Sequence, residues 1–212
     1  MYDYILFDFD GTVFDTVEGI SKSVQYALNK FGIEAELPAL RCFAGPPLND
    51  MFREKFGFTY EQAEQAIVYY RERYKPVGLY ESSPFPGMRQ LLEKLRAAGK
   101  KTGIATIKPT LMAEKLLENS GMAGLFDALC GSPADRSLTK RELAEQAMER
   151  IGAVREKTVL IGDTKYDALG AKDCGIAFIG AGYGYAAPGE LASAGAELIV
   201  ESVAELEKLL LD

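Results

Sequence analysis

The sequence predicts an α/β protein: a doubly wound, Rossmann-like parallel sheet with a small α-helical unit inserted near its N-terminus. Three observations predict it. Short β-rich runs alternate with amphipathic helical segments from Met88 to the end of the chain. Residues 15 to about 82 carry helical periodicity and no strand pattern. The Pro-, Ser- and Gly-rich stretch Glu81-Ser82-Ser83-Pro84-Phe85-Pro86-Gly87 punctuates the boundary between these regions. The expected division is therefore residues 1–14 with 83–212 for the sheet domain and 15–82 for the helical insert.

The first run, Tyr4-Ile5-Leu6-Phe7, is short and apolar enough to be a buried strand. Past Thr12 the period changes. Asp15 or Thr16 can cap a helix that carries Ile20, Val24, Ala27, Leu28 and Phe31 and ends at Gly32. The stretch Arg41 to Leu48, with Gly45-Pro46-Pro47, breaks the helical pattern, and a second helix follows from Leu48 to about Phe56. Thr59 and Gln62 form a capping-box pattern for a third, which runs to Pro76. The alternating region reads as a helix over 87–98, a strand over 101–106, a helix over 110–120 and a strand over 126–131. Next come a helix over 139–151, a strand over 158–162, a helix over 165–173 and a strand over 176–180. A strand over 197–200 and a helix over 203–211 close the pattern. Gly182-Tyr183-Gly184-Tyr185-Ala186-Ala187 matches a dinucleotide fingerprint, but it follows a late strand and reads better as a loop at the rim of a site.

Composition narrows the chemistry. At 212 residues and 48% hydrophobic content the chain can bury a sizeable core. A net charge of −7 with no basic block is poorly suited to nucleic acid. No apolar run approaches the roughly 18 residues of a membrane span. The start, Met1-Tyr2-Asp3, lacks the pattern of a secretory leader, so a cytoplasmic location is expected. Cys42, Cys130 and Cys174 are far apart and read as reduced, buried thiols. Histidine is absent altogether. That excludes Ser-His-Asp, Cys-His and His-ligated metal chemistry and leaves carboxylates, lysines, hydroxyls and a hard cation.

Asp8-Phe9-Asp10-Gly11-Thr12 closes the first strand. Residues i and i+2 of an extended chain point the same way, so Asp8 and Asp10 project together from the strand's C-terminal end. Open α/β sheets place ligands there. Two adjacent acids are costly without a cation, and all-oxygen donors suit Mg2+. A plain Asp-Gly turn is the competing reading. Three further strand ends carry useful groups. Thr106-Ile107-Lys108-Pro109 offers a hydroxyl before a helix N-terminus, suited to a phosphate or simply to capping. Lys140, in the first turn of a helix, opposes the helix dipole, which hints that its charge faces an anion; a solvated surface lysine is the alternative. Gly162-Asp163-Thr164-Lys165-Tyr166-Asp167 brings a second acidic pair to the same edge, with capping again the rival role. Four acids converging there without basic partners call for a divalent ion.

These four segments, in this order, resemble the motifs of the haloacid dehalogenase-like (HAD) hydrolase superfamily over essentially the whole chain. Gly45-Pro46-Pro47-Leu48 and Pro84-Phe85-Pro86-Gly87 resemble its phosphoglycolate phosphatase and 5′-nucleotidase group. The resemblance implies a HAD core with an inserted helical cap, and a Mg2+-dependent phosphatase acting on a small phosphorylated metabolite through an aspartyl-phosphate. Asp8 would be the nucleophile and Asp10 the acid–base. Thr106 and Lys140 would hold phosphate oxygens, with Gly11, Thr12 and the Ile107 backbone lining the substrate site. Asp8, Asp10 (through its carbonyl), Asp163 and Asp167 would form or support the metal site. Arg41 and Gly45 in the insert are candidates to read the leaving group. Ile107 departs from the small polar residue usual beside Thr106. A monomer or homodimer is expected, with neither nucleic acid nor membrane as partner. Dehalogenases resemble the chain but usually lack the equivalent of Asp10. A phosphomutase of the same superfamily is a closer alternative. A receiver-like phospho-Asp module is a more distant one, at odds with the long helical insert.

Overall fold

The computed structural model describes residues 1–133 and 138–211. The chain falls into two compact units: Met1–Phe14 with Pro84–Asp212, and Asp15–Ser83. In the first, strand β1 (Tyr4–Phe7) runs straight to the acidic turn. Two-residue strands, β2 (Phe14–Asp15) and β3 (Ser83–Pro84), mark where the chain enters and leaves the second unit.

The second unit is helical: α1 (Val17–Asn29), α2 (Leu48–Phe56) and α3 (Tyr60–Tyr74), with 3-10 turns at Leu37–Phe43 and Gly78–Tyr80. The capping box at Thr59 and Gln62 is present. A cluster of rings fills the interior, with Phe52 stacked on Phe58 and Phe43 tilted against Phe52. Helix α1 crosses the 3-10 turn so closely that a Cβ at Gly19 would sit 1.8 Å from the Gly78 carbonyl oxygen. Arg73 grips Glu81 with two nitrogens, at 2.8 and 3.0 Å, and Lys22 joins at 3.1 Å. These partners hold the Glu81 carboxyl below its ordinary value, the Arg73 hydrogen bonds contributing most. The 3-10 turn over Leu37–Phe43 was not foreseen, and Cys42 within it is exposed rather than buried.

The first unit carries β1, β4 (Lys101–Pro109), β5 (Ala128–Ser132), β6 (Thr158–Gly162), β7 (Ala177–Ala181) and β8 (Leu198–Val200). The sheet order is β5-β4-β1-β6-β7-β8, and every neighbouring pair is parallel. Strand β1 is central. The chain builds outward from it through β4 and β5, then crosses to β6 on the other side. The switch falls at the end of β1, where Asp8 and Asp10 stand.

Crossover helices explain the continuous apolar runs of β1 and β6, which are buried on both faces. On one face Leu6, Ala105, Cys130 and Leu160 pack against α6 (Lys140–Ile151) and α7 (Lys165–Cys174) through Leu143, Ala144, Ala147 and Ala171. The small residues matter here. A Cβ at Gly103 would already stand 3.1 Å from Leu6 Cδ2 and 3.7 Å from Ala147 Cβ, so α6 lies close on the sheet. On the other face Phe7 meets Phe126 edge-on at 6.1 Å. Helices α4 (Met88–Ala97) and α9 (Val203–Leu211) pack on each other, and α5 (Thr110–Asn119) packs along β4 and β5. A one-turn helix, α8 (Glu190–Ser193), lies where the sequence signals only loop. No described helix is long and apolar enough to cross a membrane.

Leu6→Ala removes a fully buried side chain packed among residues of α6 and β6. It should cost about 2–5 kcal/mol in denaturant unfolding. A loss below about 1 kcal/mol would show that this face is not close-packed.

Candidate active site

Asp8 leaves β1 with its backbone N–H donating to the Ile161 carbonyl at 2.8 Å, so the strand geometry carries one residue past Phe7. Helix α6 supplies its counter-charge. Thr139 and Glu142 close a capping box and set Lys140 as the first helical residue. From there the Lys140 ammonium donates to Asp8 Oδ1 at 2.5 Å and lies 2.6 Å from Asp167 Oδ1. A Cβ at Gly170 would stand 2.7 Å from Lys140 Cγ, so the glycine in α7 gives the lysine stem its passage. The other oxygen of Asp167 accepts from the Thr164 N–H at 3.0 Å and the Thr164 hydroxyl at 2.7 Å. The capping expected at the start of α7 and the contact of Asp167 with Lys140 thus coexist in one turn.

Asp163 is fully buried. Its Oδ1 accepts from the Thr12 hydroxyl at 3.1 Å and its Oδ2 from the Tyr185 N–H at 2.9 Å. A Cβ at Gly11 would collide with Asp163 Oδ2, and one at Gly184 would lie 2.3 Å from Asp163 Cβ. Gly11 also has φ +83°, a conformation that favours glycine. Tyr183 donates to the Thr12 carbonyl at 3.1 Å. The 182–185 loop, expected at the rim, therefore props up a buried carboxylate through its backbone.

Burial pushes the Asp8 carboxyl up to about 6, against the pull of Lys140. Burial likewise drives Asp163 well above its ordinary value, reinforced by Asp167 and Asp8. For Lys140, burial alone would lower the ammonium's pKa, but Asp167 and Asp8 outweigh it and raise it.

Asp10 occupies a different environment. Both of its carboxylate oxygens accept from the Lys108 ammonium, at 2.8 and 3.1 Å. The acids therefore do have basic partners, contrary to the expectation that they converge without them. Lys108 was passed over because it reads as one more charge beside a strand. The clue was Asp10 itself, which needs a nearby cation. Strand β4 continues to Pro109 instead of ending at Thr106. Thr106 is thus a strand residue and not the cap of α5; its buried hydroxyl accepts from the Lys108 N–H at 3.2 Å. The Ile107 side chain packs against the core under α6, which leaves its backbone as the part available to a ligand. Thr12 spends its hydroxyl on Asp163. Arg41 and Gly45 are exposed residues of the helical unit.

The donor set suits a hard cation. Oxygens of Asp8, Asp163 and Asp167 lie within 4.8 Å of one another, all buried, with one ammonium among them. Three carboxylates against one cation leave an excess of negative charge that a divalent ion would balance. Asp10 is not one of the three.

Burial of Asp8 gives a measurable signature. The folded-state value of Asp8, about 6, lies above its ordinary 3.8. Its charge therefore costs stability above pH 6, and the cost fades as pH falls through 6. In chelator, Asp8→Asn should be more stable than wild type at pH 8, by up to about 3 kcal/mol. That advantage should shrink as pH falls from 6 and approach zero below pH 4 in thermal or urea unfolding. An advantage that is absent at pH 8, or that grows on acidification, would contradict the assigned environment.

Comparison with known proteins agrees with this geometry. The family profile described as haloacid dehalogenase-like hydrolase matches residues 5–181, which carry Asp8, Asp10, Thr106, Lys108, Lys140, Asp163 and Asp167. A 5′-nucleotidase of Pseudomonas aeruginosa is 41% identical over 90% of this chain and 87% of its own length. The crystal structure of a predicted phosphatase from Clostridium acetobutylicum superposes with a TM-score of 0.92 at 42% identity, covering 100% of this chain and 99% of that one. The structure of Protein Tyrosine Kinase A from Mycobacterium tuberculosis gives 0.87 at 30% identity, covering 100% and 99%. With its acids and lysines at the switch point of a parallel sheet and this similarity over nearly its full length, the chain belongs to the haloacid dehalogenase-like hydrolases, as a phosphoric monoester hydrolase among them.

Proposed function

We propose that this protein is a Mg2+-dependent phosphatase of small phosphomonoesters that works through an aspartyl-phosphate on Asp8. One observation carries the reading. The Asp8 carboxylate is held by Lys140 in a buried cluster with Asp163 and Asp167, while Asp10, two residues on, is held apart by Lys108.

The two acids then have different work. An Asp8 oxygen attacks phosphorus as the bond to the leaving oxygen breaks, and Asp10 delivers a proton to that oxygen. In the second half Asp10 takes a proton from water, whose oxygen attacks the phosphoryl group. Phosphate leaves and the Asp8 carboxylate is restored. Lys140 fixes the attacking carboxylate and offers positive charge to the phosphoryl oxygens, with Thr106 as a further donor. Mg2+ bound by Asp8 and Asp163, with the Asp10 carbonyl as a further ligand and Asp167 in support, would neutralise charge on the transferring group. Gly11, Thr12 and the Ile107 backbone would border the phosphate. Arg41 and Gly45 stand as candidates for contacting the leaving group, for which nucleoside 5′-monophosphates and 2-phosphoglycolate are the first esters to try. None of these steps uses histidine.

Release of p-nitrophenol from p-nitrophenyl phosphate with Mg2+ should fall by at least about 10³-fold in Asp8→Asn. Chelation should abolish turnover and Mg2+ restore it. Wild-type protein with no activity above Asp8→Asn on this ester and on a panel of metabolite phosphates would refute the reading. Labelled phosphate should appear as inorganic phosphate. Its appearance on a tyrosine peptide supplied with ATP would instead favour the chemistry named for the mycobacterial relative.

A further inference from the structure

We propose that Lys108 is a positioning residue for Asp10, aiming its carboxyl group at the leaving oxygen. The inference deepens the phosphatase reading above and rests on it.

Lys108 is built into the fold with some care. The pairing of β4 with β5 loses register between Thr106 and Pro109. Such an irregularity re-aims a side chain near the end of a strand. The neighbouring strand makes room for it: a Cβ at Gly131 would lie 2.8 Å from the Lys108 carbonyl oxygen and equally close to Thr110. The Lys108 backbone N–H is tied to the Thr106 hydroxyl. Its side chain is only 3% exposed. The ammonium lies 5.7 Å from the centre of the Phe9 ring, which is itself stacked on Phe14 at 4.7 Å. At the end of this supported stem the nitrogen binds both oxygens of Asp10, a residue whose own side chain is 18% exposed. A carboxylate at a strand-end turn has free rotation about two bonds. Two hydrogen bonds from a buried, backbone-anchored ammonium remove most of that freedom. Asp8 owes its placement to a different lysine, Lys140 on α6, so the two acids are oriented independently.

Proton delivery by Asp10 matters in proportion to how poor the leaving group is. An alkoxide needs the proton as the P–O bond breaks; p-nitrophenolate leaves nearly unaided. The ratio kcat/KM covers only the steps through loss of the leaving group. Lys108→Met should therefore lower kcat/KM by on the order of 10²-fold on the better of AMP and 2-phosphoglycolate. On p-nitrophenyl phosphate the loss should be at least tenfold smaller. Lys108→Arg, which can still reach both oxygens, should recover most of the difference. Adding Lys108→Met to Asp10→Asn should cost no more than Asp10→Asn alone. Circular dichroism and thermal unfolding of each variant establish that it is folded. Equal losses on the two esters, or additive losses in the Asp10→Asn background, would overturn the assignment. In either case wild-type turnover that depends on Asp8 and Mg2+ leaves the phosphatase reading standing.

Discussion

A buried ammonium holds the acidic cluster of this site together. Lys140 stands between Asp8 and Asp167, within 2.6 Å of both, where almost no water reaches. Removing Lys140 itself would leave Asp8 and Asp167 buried without their counter-charge, a loss on the order of 3–5 kcal/mol. Much of the surrounding sequence can be read as the means of placing it. Thr139 starts α6 at the right residue. Gly103, Ala105, Ala144 and Ala147 let that helix settle close to the sheet. Gly170 clears a path for the lysine stem, and Gly162 clears one for Asp167, whose Cβ would meet an added methyl at 2.3 Å.

The second consequence is a difference of environment between carboxylates that are neighbours in sequence. Asp8 is buried, raised in pKa and grouped with Asp163 and Asp167. Asp10 is partly exposed and paired with Lys108 on β4. Nothing intrinsic separates two aspartates; the strands and helices that approach each one do. The same holds for Asp163, which is supported by Thr12 from the first turn and by the Tyr185 backbone from a loop after β7. Each acid is thus fixed by an element remote in the chain, and the site exists only when β1, β4, β6 and α6 are assembled together.

A cluster carrying more negative than positive charge is a standing cost to the fold. Burial raises Asp8 and Asp163 first of all, with the neighbouring carboxylates adding to it. Natural sites tolerate such strain where a ligand relieves it, and a divalent cation held by Asp8, Asp163 and Asp167 would relieve it here. Arrangement at the switch point of a parallel sheet allows this. The strand ends converge there while the rest of the sheet stays apolar and close-packed.

The sequence by itself determined the alternation of strands and helices, the parallel sheet, the helical region and the four strand-end groups. Those signals are local. Periodicity, caps such as Thr59-Gln62 and punctuation by Gly and Pro depend on residues a few positions apart, and the absence of histidine requires no structure at all. The tertiary structure alone decided which charges meet. Lys108 and Asp10 are 98 positions apart, and Thr12 and Asp163 are 151 apart. No periodicity reports on such pairs. The extension of β4 past Thr106 escaped for the same reason, because its pairing with β5 overrides the local appearance of a helix start at Thr106-Ile107-Lys108-Pro109. Residue type and order named the actors. Long-range packing, through burial and the choice of counter-charge, assigned Asp8 and Asp10 their different environments.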